Sequence, residues 1–156
     1  MTRNGLILIA AGGSAAMLAM AFAFQHLGGL APCALCLWQR WPHAAAVVIG
    51  VLGLALPGAA LPLFGAVAAG ASGGIGGYHL GVEQGWWEGP ATCSGGSEVG
   101  ELSVEELTAQ IMAAPVVRCD EVAWSLAGLS MAGWNAVLSL ALMAIWLVAA
   151  LRAYRV

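Results

Sequence analysis

Long apolar stretches dominate this chain and are separated by short polar segments. No charged residue occurs from position 4 to 39, from 41 to 82 or from 122 to 151. A membrane-spanning helix needs about 20 predominantly apolar residues. The first and third stretches therefore hold one helix each, and the second holds two because Pro57-Gly58 and Pro62 interrupt it. The pattern predicts an all-α polytopic membrane protein, a bundle of four transmembrane helices.

The predicted segments alternate between the membrane and its two surfaces. The helices cover about residues 5–24, 41–56, 63–80 and 126–151. They leave two loops, about 25–40 and 81–125, at one end of the bundle and a turn, about 57–62, at the other. Trp41-Pro42 favours a helix start at the membrane interface. In the third helix, small-residue pairs such as Gly70 and Gly74 permit close helix packing.

The first apolar segment allows a second interpretation. Ala21-Phe22-Ala23 resembles the small-residue cleavage site of a signal peptide. The apolar run from Gly5 to Phe24, however, exceeds the usual signal-peptide core of about 7 to 15 residues. Its length favours a retained transmembrane helix.

The second loop differs from the rest of the chain in composition. All eight carboxylates lie between Glu83 and Glu121. Within this loop, Ser103-Val104-Glu105-Glu106 has capping-box spacing and predicts a short amphipathic helix over about 103–113. That helix either lies flat on the membrane or packs its apolar face on the end of the bundle, and the sequence leaves both open.

Composition and charge support a membrane protein and indicate its orientation. Hydrophobic residues make up 61% of the chain, charged residues 8%, and the net charge of -3 without a basic cluster argues against nucleic acid as a partner. Four spans place both termini on one side, with Arg3, Arg152 and Arg155. Arg40 and Arg118 lie in the opposite loops. The positive-inside rule therefore predicts cytoplasmic termini and both loops outside the cytoplasm.

Four cysteines lie in the two outer loops, Cys33 and Cys36 in the first and Cys93 and Cys119 in the second. Disulfides persist outside the cytoplasm, and four cysteines allow three pairings. The pairs either exchange electrons through an interloop disulfide, or Cys93 and Cys119 only staple their loop. A metal site is the weakest interpretation, because the second pair is widely spaced and its loop contains no histidine.

The Cys33-Ala34-Leu35-Cys36 motif suggests redox chemistry. Arg40 follows the second cysteine by one helical turn if the helix starts early, and its charge would favour a Cys36 thiolate. Alternatively, Arg40 extends toward lipid headgroups. His79, near the outer end of the third helix, either donates a hydrogen bond or a proton to a ligand there or is a solvated helix end. His26 and His43 have weaker claims, and the tryptophans are most simply interface anchors.

Ordered motifs resemble the DsbB family of bacterial disulfide-bond formation proteins. Phe24-Gln25-His26, Pro32-Cys33-Ala34-Leu35-Cys36 and Gln39-Arg40 resemble the family's first outer loop. The resemblance continues along nearly the whole chain through Tyr78-His79, Pro90-Ala91-Thr92-Cys93, Cys119, Glu121, Trp124, Gly128-Leu129, Met131 and Trp134. It departs in a shorter, acidic second loop, in Gln39 where an acidic residue is usual, and in the glycine-rich third helix.

The resemblance implies an inner-membrane enzyme that reoxidises a periplasmic DsbA-like thioredoxin-fold protein. The partner would attack Cys93, and the released Cys119 would attack Cys33. Cys36 would then face a membrane quinone, ubiquinone or menaquinone, with Arg40 and His79 as further quinone contacts. Two other functions stay open: a non-catalytic membrane scaffold with structural disulfides, and a thiol reductase that sends electrons outward. The sequence does not indicate an oligomeric state.

Overall fold

The fold is an α-helical bundle, seen in a computed structural model that describes residues 1–90, 93, 103 and 117–153. Its described part contains four helices: α1 (Arg3–His26), α2 (Ala34–Ala55), α3 (Ala60–Glu83) and α4 (Met131–Ala153). A small antiparallel hairpin, β1 (Ser125–Leu126) and β2 (Leu129–Ser130), precedes α4. The amphipathic helix predicted over 103–113 lies outside the described residues, except for Ser103.

Three of the described helices, α1, α3 and α4, are long and apolar enough to cross a membrane. α2 has a similar length of 22 residues, but its first half carries Gln39, Arg40 and His43, which lower its mean hydropathy. The helical architecture predicted from the charge-free stretches is therefore confirmed in the described residues. The fourth membrane span stays a prediction.

The start of α2 corrects the sequence prediction, because the helix begins at Ala34 and not near Trp41. Cys33 is the N-cap: its backbone is extended, and its Sγ accepts a hydrogen bond from the Cys36 backbone N–H at 3.2 Å. Pro42 consequently lies inside the helix, where it cannot donate a backbone hydrogen bond. Cys36 and Arg40 thus lie on α2 and not in the preceding loop.

The start of α4 also differs from the prediction. Residues 126–130, expected to be helical, belong to the hairpin, in which Ser125 pairs with Ser130 and Leu126 with Leu129. The two residues between the strands, Ala127 and Gly128, have φ values of 52° and 79°. Two consecutive residues with positive φ are typical of the tight turn that matches the twist of a hairpin. The helix can begin only after this turn, at Met131.

The opposite end of the bundle is closed by a short turn between α2 and α3. The Arg3 guanidinium donates to the carbonyl oxygens of Leu56 at 2.8 Å and Gly58 at 3.1 Å. Thr2 caps α1 by accepting from the Gly5 N–H at 3.2 Å. These contacts hold the first residues of the chain against the turn between α2 and α3.

The core of this half of the bundle is built around the fully buried Trp146 of α4. A Cβ atom added at Gly65 of α3 would lie 2.5 Å from the indole ring, and one at Gly50 of α2 would lie 2.3 Å from the Ala11 Cβ. These glycines are therefore required by close packing between helices, as small residues are in membrane bundles.

We expect Gly65→Ala to lower the free energy of unfolding by about 1 to 3 kcal/mol, because the buried indole has no room to move away from the new methyl group. Gly74→Ala, on the same helix, is the matched control, since nothing lies within 4 Å of its added Cβ. The control should be neutral or gain about 0.5 to 1 kcal/mol. Thermal unfolding in detergent measures both, and equal stability of the two variants would contradict this packing.

Candidate functional site

The Cys33-x-x-Cys36 pair lies at the outer start of α2. Both residues are free cysteines, and their sulfur atoms are 2.8 Å apart. Cys33 is buried and Cys36 is partly exposed, and both line a cavity between the helices. The two cysteines therefore share one cavity and differ in how exposed they are.

The second cysteine pair meets the first at this end of the bundle. Cys93 and Cys119 form a disulfide, and both are buried in a cluster with Cys33, Leu35 and Val82. The sulfurs of Cys33 and Cys119 and a ring nitrogen of His79 all lie within 4.8 Å of one another. The Cys33 thiol and the Cys119 sulfur of the disulfide are thus close enough to react after a small movement. Because the Cys119 sulfur is already in a disulfide, we interpret the proximity as a route for thiol exchange and not as a metal site.

His79 of α3 connects these cysteines. Its Nδ1 lies 3.0 Å from Gln39 Nε2, and the same amide nitrogen donates to the Leu35 carbonyl at 3.1 Å. Because the amide nitrogen is a donor, Nδ1 accepts and Nε2 carries the hydrogen. Nε2 then donates to the Cys119 carbonyl at 3.1 Å and lies 3.6 Å from Cys33 Sγ. His79 is therefore buried and holds Cys119 beside Cys33, which excludes the solvated helix end considered from the sequence.

Glu83 extends this arrangement by one helical turn. Its Oε1 lies 4.0 Å from His79 Nε2, and its Oε2 accepts a hydrogen bond from the Ser130 hydroxyl. Ser130 Oγ in turn accepts from the Gly133 N–H at 3.2 Å, so it also caps the start of α4. Neither Glu83 nor Ser130 was singled out from the sequence, although the position of Glu83 four residues after His79 places the two side chains on one face of a helix.

A cavity of about 370 Å³ opens beside Cys36. Its walls are mainly apolar and come from all four helices and the segment before α4, with Met17, Phe24, Trp134 and Leu138 among the lining residues. A few polar side chains share the wall: Cys36, Gln39, Arg40, His43, His79, Glu83 and Asn135 are among them. An apolar cavity with a small number of polar groups is the usual form of a small-molecule site.

Arg40 is held in the wall of this cavity by contacts with α1. Its Nη1 donates to Gln25 Oε1 at 2.6 Å, and its guanidinium carbon lies 4.9 Å from the Phe22 ring centre. Its Nε is buried and has no hydrogen-bond partner among the described residues. The guanidinium thus packs against the outer end of α1, and its Nε is left without a partner in the described part of the chain.

The two thiols at the start of α2 precede its predicted membrane-spanning part, 41–56, and differ in acidity. The hydrogen bond donated by Cys33 lowers the pKa of Cys36 below its ordinary value, and the positive charge of Arg40 adds to this although burial opposes it. The same hydrogen bond, together with burial, raises the pKa of Cys33. Cys36 is therefore the more acidic thiol of the pair.

The structure brings together most of the residues singled out from the sequence. Cys33, Cys36, Arg40, His79 and Cys119 lie around one end of α2, and Cys93 joins them through its disulfide. His26 does not join them: it is exposed and stacks on Phe22. Tyr78 lies apart, against Trp87 and the Glu88 carbonyl.

Comparison with known proteins finds a matching family model and individual proteins of similar sequence. The family model described as disulfide bond formation protein DsbB matches residues 3–149. A protein of Pasteurella multocida named disulfide bond formation protein B is 32% identical over 127 residues, which cover 77% of this chain and 70% of that protein. A protein of the same name from Dechloromonas aromatica is 30% identical over 133 residues, 81% of this chain and 79% of that protein. No solved structure matches the chain significantly.

With the Cys93–Cys119 disulfide intact, we expect the rate of Cys36 alkylation to rise with pH with a midpoint below about 8.5, the pKa of a free thiol. Cys33 should react only at higher pH. Arg40→Met should move the Cys36 midpoint upward, because loss of the positive charge destabilises the thiolate. Arg40→Lys is the control that keeps the charge. Mass spectrometry of iodoacetamide-treated protein measures each site, and earlier alkylation of Cys33 than of Cys36 would contradict this assignment.

Proposed function

Because this chain belongs to the DsbB family of disulfide bond formation proteins, we propose that it reoxidises a periplasmic, DsbA-like thioredoxin-fold protein and delivers the electrons to a membrane quinone. Family membership supports disulfide oxidoreductase activity. One observation carries the finer proposal: the Cys33 sulfur lies beside the Cys119 sulfur of the disulfide, and both Cys33 and Cys36 line the cavity. The two cysteine pairs and the cavity then form one continuous path.

The first half of the reaction is disulfide exchange between protein thiols. A thiolate of the partner attacks Cys93, forms a mixed disulfide and releases Cys119 as a thiolate. Cys119 then attacks Cys33 in its disulfide with Cys36, and Cys36 leaves as the thiolate. The second thiol of the partner resolves the mixed disulfide and releases Cys93 as a thiolate. Cys93 then attacks Cys119 in the Cys33–Cys119 disulfide, which re-forms the Cys93–Cys119 disulfide and leaves Cys33 and Cys36 reduced. Each cycle moves two electrons from the partner to this chain, and the His79 contacts with Cys33 and the Cys119 carbonyl support the interloop step.

The cavity fits a quinone headgroup in its chemistry. Its walls are largely apolar, and Arg40 contributes a buried nitrogen without a partner in the described part of the chain. Arg40 and Cys36 would hold the headgroup, and His79 lines the same wall. When bound, ubiquinone or menaquinone would supply an acceptor for the two electrons and two protons released as the Cys33 and Cys36 thiols form a disulfide. The guanidinium charge would stabilise negative charge that grows on a quinone oxygen.

This function requires a defined orientation in the bacterial inner membrane. We propose that α2 supplies the fourth span through its apolar part, about 41–56, with the first turns that carry Cys36 and Arg40 at the periplasmic surface. Four spans place both termini in the cytoplasm, where Arg3 and Arg152 fit the positive-inside rule. The four cysteines then face the periplasm, where the partner protein is found.

A non-catalytic scaffold with structural disulfides explains the site less well. A scaffold would not need the two adjacent free thiols, Cys33 and Cys36, within reach of a second disulfide. It would also not need Arg40 to be held in the wall of a cavity by Gln25. These features support exchange chemistry over a structural role.

We expect protein reduced with dithiothreitol to pass electrons to a short-chain quinone, and Cys36→Ser to abolish this transfer. The variant lacks the Cys36 sulfur and cannot form the disulfide with Cys33. Leu37→Ser, an exposed position on the same turn of α2, is the matched control and should retain activity. Quinone absorbance followed anaerobically measures the transfer. Persistent reduction in the Cys36 variant would show that this mechanism is wrong.

The exchange with a partner has its own test. In Cys119→Ala, we expect Cys93 to form a stable mixed disulfide with a thioredoxin-fold protein whose single active-site cysteine is activated by a thionitrobenzoate group. The complex persists because the thiol that would resolve it is absent. Cys93→Ala in the same background is the control. Non-reducing gels and peptide mass spectrometry locate the bond, and a failure to form it would favour the scaffold.

A further inference from the structure

A second group of buried polar residues lies deeper in the bundle and has no part in the disulfide relay. His43, Ser72, Asn135 and Ser139 are each less than a tenth exposed. Asn135 Nδ2 donates hydrogen bonds to the Ser72 carbonyl oxygen and to the Ser72 hydroxyl oxygen, each at 3.2 Å. His43 Nε2 lies 3.0 Å from Asn135 Oδ1 and 3.2 Å from Ser139 Oγ. Polar groups inside a membrane bundle are costly and usually mark a functional path.

These contacts determine which ring nitrogen of His43 carries the hydrogen. The Ser72 carbonyl can only accept, so the Asn135 nitrogen faces Ser72 and its Oδ1 faces His43. Nε2 of His43 therefore donates to Oδ1. Nδ1 of the neutral ring is left as an acceptor, and it is buried without a hydrogen-bond partner among the described residues. An unsatisfied buried acceptor in an otherwise paired network indicates that something else supplies the donor.

His43 belongs to the same cavity as the redox thiol. Cys36, Arg40 and His43 all line it, and their spacing of four and three residues places them on one face of α2. At about 1.5 Å per residue, His43 is about 4.5 Å beyond Arg40 along the helix axis, toward the middle of the bundle. Four buried side-chain polar atoms in the described residues have no partner, and two of them, Arg40 Nε and His43 Nδ1, belong to residues in this wall.

We propose that His43 is a second headgroup contact that selects the reduced form of the quinone. This inference rests on the proposed function. The Arg40 guanidinium only donates hydrogen bonds, so it suits a carbonyl oxygen. Nδ1 of His43 only accepts, so it suits a hydroxyl, which a quinol has and a quinone lacks. Asn135 is the positioning residue that keeps Nδ1 an acceptor. Tighter binding of quinol would favour the passage of electrons out of the Cys33–Cys36 dithiol.

Binding of the two redox forms tests this without turnover. In a Cys36→Ser background, isothermal titration calorimetry under argon gives the affinities of the ubiquinone with one isoprene unit and of its quinol. His43→Gln places an amide nitrogen where Nε2 lies, which keeps the bond to Asn135 but removes the Nδ1 acceptor. We expect quinol affinity to fall about tenfold, the effect of one buried hydrogen bond, and quinone affinity to change less than twofold.

Two further variants separate selection from a structural role. Ser139→Ala removes a neighbour of His43 that does not line the cavity, and it should leave the ratio of the two affinities unchanged. If His43→Gln does not fold, Asn135→Leu provides the test, because it releases the fixed tautomer and should also lower the preference for quinol. If His43→Gln changed the quinone and quinol affinities equally, or changed neither, the proposed role of His43 would be overturned. Failure of both this background and the oxidised wild-type protein to bind either form would instead refute the quinone proposal itself.

Discussion

The position of the Cys33 sulfur controls the geometry of the whole site. By accepting the Cys36 N–H, Cys33 starts α2 about two turns before Trp41-Pro42, and this places the second cysteine on the helix. Cys36 and Arg40 then face the cavity from successive turns. On its other side the Cys33 sulfur lies beside His79 and Cys119. One side chain thus sets the register of α2 and contacts the second cysteine pair.

A buried histidine and glutamine make this contact between the loops specific. Gln39 orients His79, and His79 holds the backbone of Cys119 against the end of α2. Hydrogen bonds in such a dry region are worth more than on a surface, and each partner that is lost leaves another unpaired. A neutral glutamine suits this position, because the amide nitrogen of Gln39 can donate to His79 and to the Leu35 carbonyl at once.

Much of the fold, and less of the site, could be predicted from the sequence. Gaps between charges located α1, α3 and α4 to within a few residues, because burial in lipid excludes charges. The start of α2 was wrong because Trp41-Pro42 is a common helix start, whereas a cysteine cap has no strong sequence signal. The hairpin was also missed, because Ala127-Gly128 is not among the dipeptides most typical of a hairpin turn. His43 and Asn135 are 92 positions apart, and only helix packing brings them together.

The central claim is that electrons cross between the loops through Cys33 and Cys119. The most direct measurement is disulfide mapping, after mild oxidation, of Cys36→Ala/Cys93→Ala, which retains only these two cysteines. Because their sulfurs lie within 4.8 Å of each other, the account predicts rapid and nearly complete formation of the Cys33–Cys119 disulfide. Cys33→Ala/Cys93→Ala, which retains Cys36 and Cys119, should form its disulfide much more slowly. If Cys33 and Cys119 remained free thiols, or if Cys36 paired faster with Cys119, the relay would be contradicted.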